Sequence, residues 1–461
     1  MPLASYHLIL ASGGALLLIG VAMVFSASSV QSLIDSAPNR LSPFGIFDKQ
    51  ILYVFLGLPA AWLGLRLRPS AYRRLAYPSL LISVLLLAVV LIPAVGVAFW
   101  GARRWLDLGV VQLQPSEVAK LAFVLWGADL LVRKQKLLGE WRHLMVPLVP
   151  VALLLGGLIM LEPDLGTTLC FVLILFALLW TVGAPMSLFG SLFAGVLAII
   201  VVLIKFEPYR LQRVLTFLDP FADPTDTGLQ SVRGLYALAT GGWWGVGLGN
   251  SRMKWGLLPN GHSDYIFAIV GEELGFVGCL FVLSLFGVLA FAGLRIARRA
   301  ADPFIRLVSA AVVVWLVGQA IINIGYVVGL LPVTGIPLPL ISSGGTSLIL
   351  TLFILGMLAG FARHELDAVA YLQQRGQGRL ARILRLPIPR AAVDSPPRRR
   401  RPAPAKGRPS RTRRSQAQAR TVRSPAPLRT VRTVSGAGAK LPTVRATGRS
   451  GADRPARPTR G

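Results

Sequence analysis

Apolar runs long enough to cross a bilayer recur along the chain as far as Ala362. A spanning helix takes about 20 mostly apolar residues, because inside hydrocarbon every backbone polar group must be satisfied within its own segment. Runs near 7–29, 49–66, 78–98, 116–132, 144–161, 165–183, 186–205, 265–295, 307–330 and 343–362 meet that demand. They predict an all-α polytopic membrane protein with about ten transmembrane helices. The connections at 161–165 and 183–186 are very tight, and Gly271-Glu272-Glu273-Leu274-Gly275 interrupts the eighth run, whose first third reads as bent or separate. The first run, His7 to Val30, lacks a basic flank and exceeds a signal-peptide core, so it reads as a retained span.

Basic loops set the orientation, since Lys and Arg accumulate on the cytoplasmic side. Arg66, Arg68, Arg73 and Arg74 share one connection. Arg133, Lys134, Lys136 and Arg142 share another, and Arg295, Arg298, Arg299 and Arg306 a third. These are alternate loops, so both termini are expected in the cytoplasm. The opposite side then receives the loop 99–115, the turn Glu162-Pro163-Asp164 and one large extracytoplasmic loop, 206–263, between spans 7 and 8.

Composition agrees and divides the chain. Hydrophobic residues make up 54% and charged residues 15%, whereas a soluble domain carries about 25% charged residues. An ordinary soluble enzyme is excluded. The net charge of +28 is uneven, with 24 basic and 16 acidic residues up to Arg363, and 24 and 4 beyond it. We therefore expect a membrane domain over 1–365 and a basic Arg/Pro-rich cytoplasmic tail over 366–461. The tail has almost no aromatic residues after Tyr371 and is expected to be disordered. Cys170 and Cys279 lie in apolar runs and read as core packing rather than a disulfide framework or metal site. No inverted repeat of the transporter kind is visible.

Polar residues within spans mark function by default. Glu117 and Lys120 are three apart and can neutralise each other, as a structural ion pair or as a substrate contact. Pro115 suits the first turn of their helix. The outer loop places Arg210, Arg213, Arg233, Arg252 and Lys254 on the side where positive charge is disfavoured. Anionic headgroups explain that excess, arginine being suited to bidentate phosphate contacts, and solvated loop charge is the plainer alternative. The glycine run 241–249 lacks a Gly-Lys-Ser/Thr ending, so it is a tight re-entrant turn rather than a nucleotide loop.

Asp264 stands where the polar loop re-enters an apolar segment. Partial desolvation there raises a carboxylate toward the range of a general base, while a helix N-cap is the structural alternative. A carboxylate pair is disfavoured. On a straight helix Asp264 and Glu272 lie about 12 Å apart in rise and about 80° apart in rotation, and paired-carboxylate hydrolysis needs about 5–10 Å.

Several motifs together resemble one family. Asn323, followed by the run from Gly329 to Ser347 that contains Pro332, Gly335, Ser342, Gly344 and Gly345, resembles the signature of the SEDS family, which includes FtsW and RodA. Gln114-Pro115-Ser116-Glu117 with Lys120, Leu161 to Gly166, and His262 to Ala268 followed by Gly271 to Gly275 are similar to other family motifs, in family order. The resemblance covers about residues 7–365, and the long outer loop and basic tail look nearer to FtsW of actinobacterial type than to RodA.

That resemblance implies a peptidoglycan glycosyltransferase that polymerises lipid II outside the cytoplasmic membrane, at the division septum, with undecaprenyl pyrophosphate as leaving group. It puts the essential carboxylate on Asp264 and an important tryptophan on Trp105. The family's Thr-Asp-Phe reads Ser263-Asp264-Tyr265 here. The chemistry assigns Asp264 as base and Arg210, Arg213 and Lys254 as cations for the pyrophosphate, with Gln230 and Ser231 as further candidate substrate contacts. No tightly bound cofactor is expected, although a divalent cation, magnesium or manganese, is a candidate helper.

Expected partners are lipid II, membrane lipids, a class B penicillin-binding protein transpeptidase and other division proteins, with FtsZ a candidate for the tail. Nucleic acid is not expected, although polyarginine binds any polyanion. Competing readings are a lipid II flippase, a RodA-like elongation polymerase and a division scaffold acting through its tail.

Overall fold

Each expected apolar run coincides with a helix in the structure, a computed structural model that describes residues 2–36, 44–99, 102–109, 111–137, 145–206, 208–376 and 378–389. In chain order the helices at the expected spans are α1 (Ala4–Ser36), α2 (Gly45–Arg66), α3 (Pro69–Val90), α4 (Pro115–Arg133), α5 (Leu148–Leu161), α6 (Leu165–Val182) and α7 (Met186–Phe206). After two helices of the loop 206–263, α8 (Pro208–Leu218) and α9 (Leu229–Gly241), come α10 (Ile266–Arg299), α11 (Pro303–Val327) and α12 (Thr346–Ala362). Six of these are long and apolar enough to span a bilayer, and α5, the Met186–Ile199 part of α7, and α12 are shorter apolar helices. Helix α4 carries Glu117, Lys120, Asp129 and Arg133, and nearly all of it is buried by its neighbours.

The chain is mostly helical, as expected, and the end of the third run differs. The third run does not stay helical to residue 98. α3 starts at Pro69, ends at Val90, and is followed by β1 (Gly96–Phe99), β2 (Ala102–Asp107) and β3 (Gln112–Leu113), a small antiparallel sheet in the order β1-β2-β3. Pro93 stops the helix, and Gly96 lets the strand touch its end, since a Cβ there would fall 2.0 Å from the Val90 carbonyl oxygen. Two helices, α8 and α9, lie within the loop 206–263.

The break expected in the eighth run is at Gly275, whose φ of 68° and ψ of −167° interrupt α10. A helix break frees carbonyls on one side and amides on the other, and in a buried place all must find partners. The glycine run supplies them. Val246 and Gly247 donate to the carbonyls of Glu272 and Glu273 at 2.9 and 3.0 Å, while Phe276 and Val277 donate to the carbonyls of Gly242 and Trp243 at 2.8 and 3.2 Å. Side chains at this approach have no room, since a Cβ on Gly245 would lie 2.2 Å from the Glu273 carbonyl oxygen. The expected re-entrant turn is therefore a backbone splint for α10.

Contacts define two ends of the bundle. The starts of α4 and α12 meet where the Gln114 amide donates to Thr346 Oγ1 at 3.1 Å, and Ser343 just before α12 donates to His262 just before α10. At the other end, Asp129 near the finish of α4 is buried between Arg73 of α3 at 2.9 Å and Arg133 at 2.5 Å. Arg299, closing α10, pairs there with Asp367 at 3.0 Å.

The chain as described continues past residue 365 with further helices. It forms α13 (Leu366–Arg375) and α14 (Arg379–Ile383), Leu386 is buried, and the Trp62 indole donates to the Leu384 carbonyl at 3.0 Å. The tail from 390 onward, including its arginine runs, lies outside the described residues. Cys170 and Cys279 are both buried free thiols.

Candidate active site

Asp264 ends the polar loop two residues before α10, half-buried at the end of the bundle where α4 and α12 begin. Its position is fixed through the backbone. The Asp264 carbonyl accepts from Asn323 Nδ2 at 2.9 Å and from the Tyr326 hydroxyl at 3.0 Å. The same two groups reach the Ile336 carbonyl at 2.7 and 2.8 Å, so α11 holds Asp264 and the 329–347 segment to one another. On the other side, Ser342 Oγ donates to the Ser263 carbonyl at 2.8 Å, and Ser343 Oγ to the His262 carbonyl at 2.9 Å. The segment after α11 is thus a clamp on the backbone of residues 262–264.

The clamp also brings Gly335 against the carboxyl. Gly335 has φ +70°, and a Cβ there would lie 3.6 Å from Asp264 Oδ2. The left-handed backbone favours glycine. Gly345, at φ +51°, precedes α12 against the Tyr53 ring. Gly344 and Pro332 belong to the connecting backbone of the same segment.

Burial pushes the Asp264 carboxyl up to about 6, the positive charge of Arg213 opposes this, Asp164 adds to it, and Arg104 opposes it again. At neutral pH such a group is mostly ionised yet holds a proton well, which suits a base. Arg213, on α8, also donates through Nη1 to the Val333 carbonyl at 3.0 Å, tying α8 to the clamp. Arg104, on β2, donates to the carbonyls of Glu162 at 3.0 Å and Pro163 at 2.5 Å. Asp164 caps α6 by accepting from Thr167 N at 3.0 Å and Thr167 Oγ1 at 2.8 Å. Glu162 beside it is fully buried with neither carboxyl oxygen hydrogen-bonded. Burial and the Asp164 charge raise Glu162 to about 9, against the pull of Arg104, so it is neutral at physiological pH.

The other residues singled out from the sequence divide. Ser231, on α9, places its hydroxyl 3.5 Å from the Tyr265 hydroxyl, next to Asp264, and Gln230 beside it is half-buried. Trp105 is half-buried on β2, paired with Val97 and adjacent to Arg104. Arg210 belongs to α8, and its side chain lies outside the described residues. Lys254 is differently engaged. Its ammonium donates to the Gly249 carbonyl and lies 3.9 Å from Glu273 Oε1, which also accepts from Ser26 at 2.6 Å.

Glu117 and Lys120 form a buried ion pair at 2.8 Å, and the pair is connected to the clamp. Lys120 Nζ lies 3.4 Å from Gln319 Oε1 and 4.8 Å from the centre of the Trp315 ring. The Gln319 amide in turn donates to the Pro337 carbonyl at 2.9 Å. Gln319, Asn323 and Tyr326 thus form a polar stripe on α11. Sequence reasoning used Asn323 only within a motif and missed Gln319 and Tyr326, although their spacing of three and four residues in an apolar run marks one helix face. Arg104 stood beside Trp105 without being distinguished from Arg103.

Residues 6–366 match the family described as cell cycle protein, FTSW_RODA_SPOVE. The chain is 44% identical to the probable peptidoglycan glycosyltransferase FtsW of Mycobacterium tuberculosis, covering 89% of this chain and 79% of that one. It is 38% identical to the stage V sporulation protein E of Bacillus subtilis, over 76% of this chain and 94% of that one. Among solved structures, a chain of a peptidoglycan synthase complex that coordinates polymerisation and crosslinking aligns with a TM-score of 0.61 and 32% identity, over 76% of this chain and 98% of that one. The rod shape determining protein RodA of Thermus thermophilus aligns with a TM-score of 0.56 and 28% identity, over 78% and 96%.

Proposed function

The chain belongs to the FtsW, RodA and SpoVE family of cell cycle proteins, and on that premise we propose that it is a multi-pass membrane peptidoglycan glycosyltransferase that uses Asp264 as its general base. The observation that carries the reading is the clamp, which holds residues 262–264 by their backbone and sets the Asp264 carboxyl beside Gly335, where a Cβ would lie 3.6 Å from Oδ2.

The substrate is lipid II. An acceptor sugar hydroxyl attacks the anomeric carbon of the donor. The bond from that carbon to the pyrophosphate oxygen breaks, and the electron pair leaves with undecaprenyl pyrophosphate. The proton of the attacking hydroxyl passes to Asp264. Arg213 and Arg104 are the cations nearest to this carboxyl in effect, and they offset the charge growing on the leaving group. Arg210 belongs to the same helix as Arg213, and Lys254 serves the Glu273 side of the loop rather than the carboxyl itself. Among the described residues no three His, Cys, Asp or Glu side chains gather as metal ligands. A magnesium or manganese ion would therefore depend on the pyrophosphate oxygens for most of its ligands, and the protein's own groups supply both the base and the compensating positive charge.

Lipid II reaches an outward-facing site, both termini are cytoplasmic, and the enzyme works at the septum beside a class B penicillin-binding protein. The likeness to a chain of a synthase complex supports that partner, and the basic tail supports contact with anionic lipid or an acidic division protein such as FtsZ. The test is polymerisation of lipid II by purified protein with its transpeptidase. Wild-type protein makes glycan polymer and Asp264→Asn makes none while remaining folded. Polymer at the wild-type rate from that variant refutes the assignment of the base.

A further inference from the structure

The turn between α2 and α3 carries four arginines that are used in two different ways. Arg73 faces inward, with its Nε 2.9 Å from the buried Asp129 and its guanidinium 5.6 Å from the centre of the Phe304 ring. Arg66, Arg68 and Arg74 face outward around a recess of about 440 Å³, and none of them has an acidic partner among the described residues. Ser70 and the apolar Leu63, Leu67 and Ala71 complete its lining.

Three features make this recess more than a charged loop. First, it holds three positive charges with none of opposite sign in its lining. Second, α3 starts at its wall with no side chain capping the first turn, so the positive end of a 22-residue helix adds to the field. Third, its apolar wall continues onto α2, where Trp62 and Leu63 are 36% and 45% exposed, on a surface that faces acyl chains if α2 and α3 span the bilayer. An anion bearing hydrocarbon chains fits all three, whereas a free anion uses only the first two.

We infer that the recess formed by Arg66, Arg68 and Arg74 at the α2–α3 turn binds the phosphate headgroup of an anionic phospholipid. The inference rests on the reading that these helices span a membrane, and it is independent of the chemistry at Asp264. Arginine suits the phosphodiester because its planar fork can donate two parallel hydrogen bonds. The acyl chains lie along Leu63 and Trp62. The Leu384 carbonyl accepts from the Trp62 indole, so residue 384 is anchored on α2 beside this site.

The test uses the full-length protein in phosphatidylcholine nanodiscs doped with phosphatidylglycerol, with lipid retained on the protein counted by native mass spectrometry. Wild type retains phosphatidylglycerol. The variant Arg66→Gln/Arg68→Gln/Arg74→Gln retains about tenfold less, while its thermal midpoint in pure phosphatidylcholine matches wild type because all three side chains are exposed. Lysine at the same three positions restores part of the retention. A tail variant, Arg398→Gln/Arg399→Gln/Arg400→Gln/Arg401→Gln, retains lipid as wild type does, and inorganic phosphate does not displace it. Undiminished retention in the triple glutamine variant overturns the site. Loss of retention in the tail variant alone assigns the lipid to the tail, and displacement by inorganic phosphate assigns the recess to a free anion, and either outcome overturns the proposal as stated.

Discussion

The Asn323 side-chain amide, on α11, donates to the main-chain carbonyl of Asp264 at 2.9 Å and also reaches the Ile336 carbonyl at 2.7 Å. One side chain thus joins the loop that carries Asp264 to the segment that clamps it. Asn323→Leu leaves buried carbonyls with the Tyr326 hydroxyl as their remaining donor, and an orphaned buried polar group costs about 1–3 kcal/mol. We expect a lower thermal midpoint and a polymerisation rate reduced more than the folded fraction. Tyr326→Phe keeps the amide and is the milder change. A variant at Asn323 with full activity and full stability contradicts the clamp.

Gly335 separates stability from activity in another way. Alanine there meets Asp264 Oδ2 at an ordinary 3.6 Å, but its backbone is held at φ +70°, where a side chain costs about 1–2 kcal/mol. Gly335→Val adds bulk against the carboxyl itself. Both variants should lose some stability, with polymer synthesis falling much further in the valine variant. Equal loss of rate in both would show that the space before Asp264 is not used by substrate.

The acid–base prediction follows from the burial of Asp264, whose carboxyl is raised to about 6. A base must be deprotonated, so the polymerisation rate should rise with pH and level off above about 6. Arg213 holds the carboxyl down, so Arg213→Gln should move the rise to higher pH as well as lowering the plateau. Stability follows the opposite course. The folded state binds its proton more tightly than the unfolded chain, and stability falls as pH rises from the ordinary aspartate range through 6. Asp264→Asn removes that loss, so its thermal midpoint should exceed wild type near neutral pH and converge with it in acid.

The splint at Gly275 is tested through close packing. A Cβ on Gly241 would lie 1.9 Å from the Gly271 carbonyl oxygen, where two helix backbones touch. Gly241→Ala should cost about 1–3 kcal/mol or more, as overpacking does, and lower the yield of folded protein. At the next position, a Cβ from Gly242→Ala meets no atom within 4 Å and is strained through its backbone alone, at φ +53° and ψ −141°. Its smaller effect in the same unfolding measurement sets the scale for the first.

The spans were legible because burial in lipid demands length and apolarity, which a sequence displays directly. Asp264 was visible as a carboxylate at a polar-to-apolar boundary, and Arg213 as one of several positive charges in the loop before it. The sheet at 96–113 was hidden because an apolar run of Val and Phe continues the look of a span after the helix has ended at Val90. The role of the glycine run was hidden too. It acts through backbone amides, which nearly every residue has, and only the break at Gly275 explains which carbonyls they serve. Lys254 read as a loop cation, and its partner Glu273 comes from the far side of that loop, just before the break.

The ion pair of Glu117 and Lys120 allows its two readings to be separated. Its groups are 2.8 Å apart and buried, so removing one leaves the other charge without compensation. Breaking such a pair costs about 3–5 kcal/mol, while replacing both members by neutral groups is often nearly harmless. Lys120→Met should therefore fold poorly, and Glu117→Gln/Lys120→Met should recover much of the lost stability in thermal unfolding. If the pair only stabilises, the double variant also recovers polymerisation. Lys120 reaches the clamp through Gln319, which donates to the Pro337 carbonyl. We therefore expect stability to return without full activity, because the double variant no longer presents a charge to hold Gln319 toward that carbonyl. Full activity in the double variant reduces the pair to a structural contact.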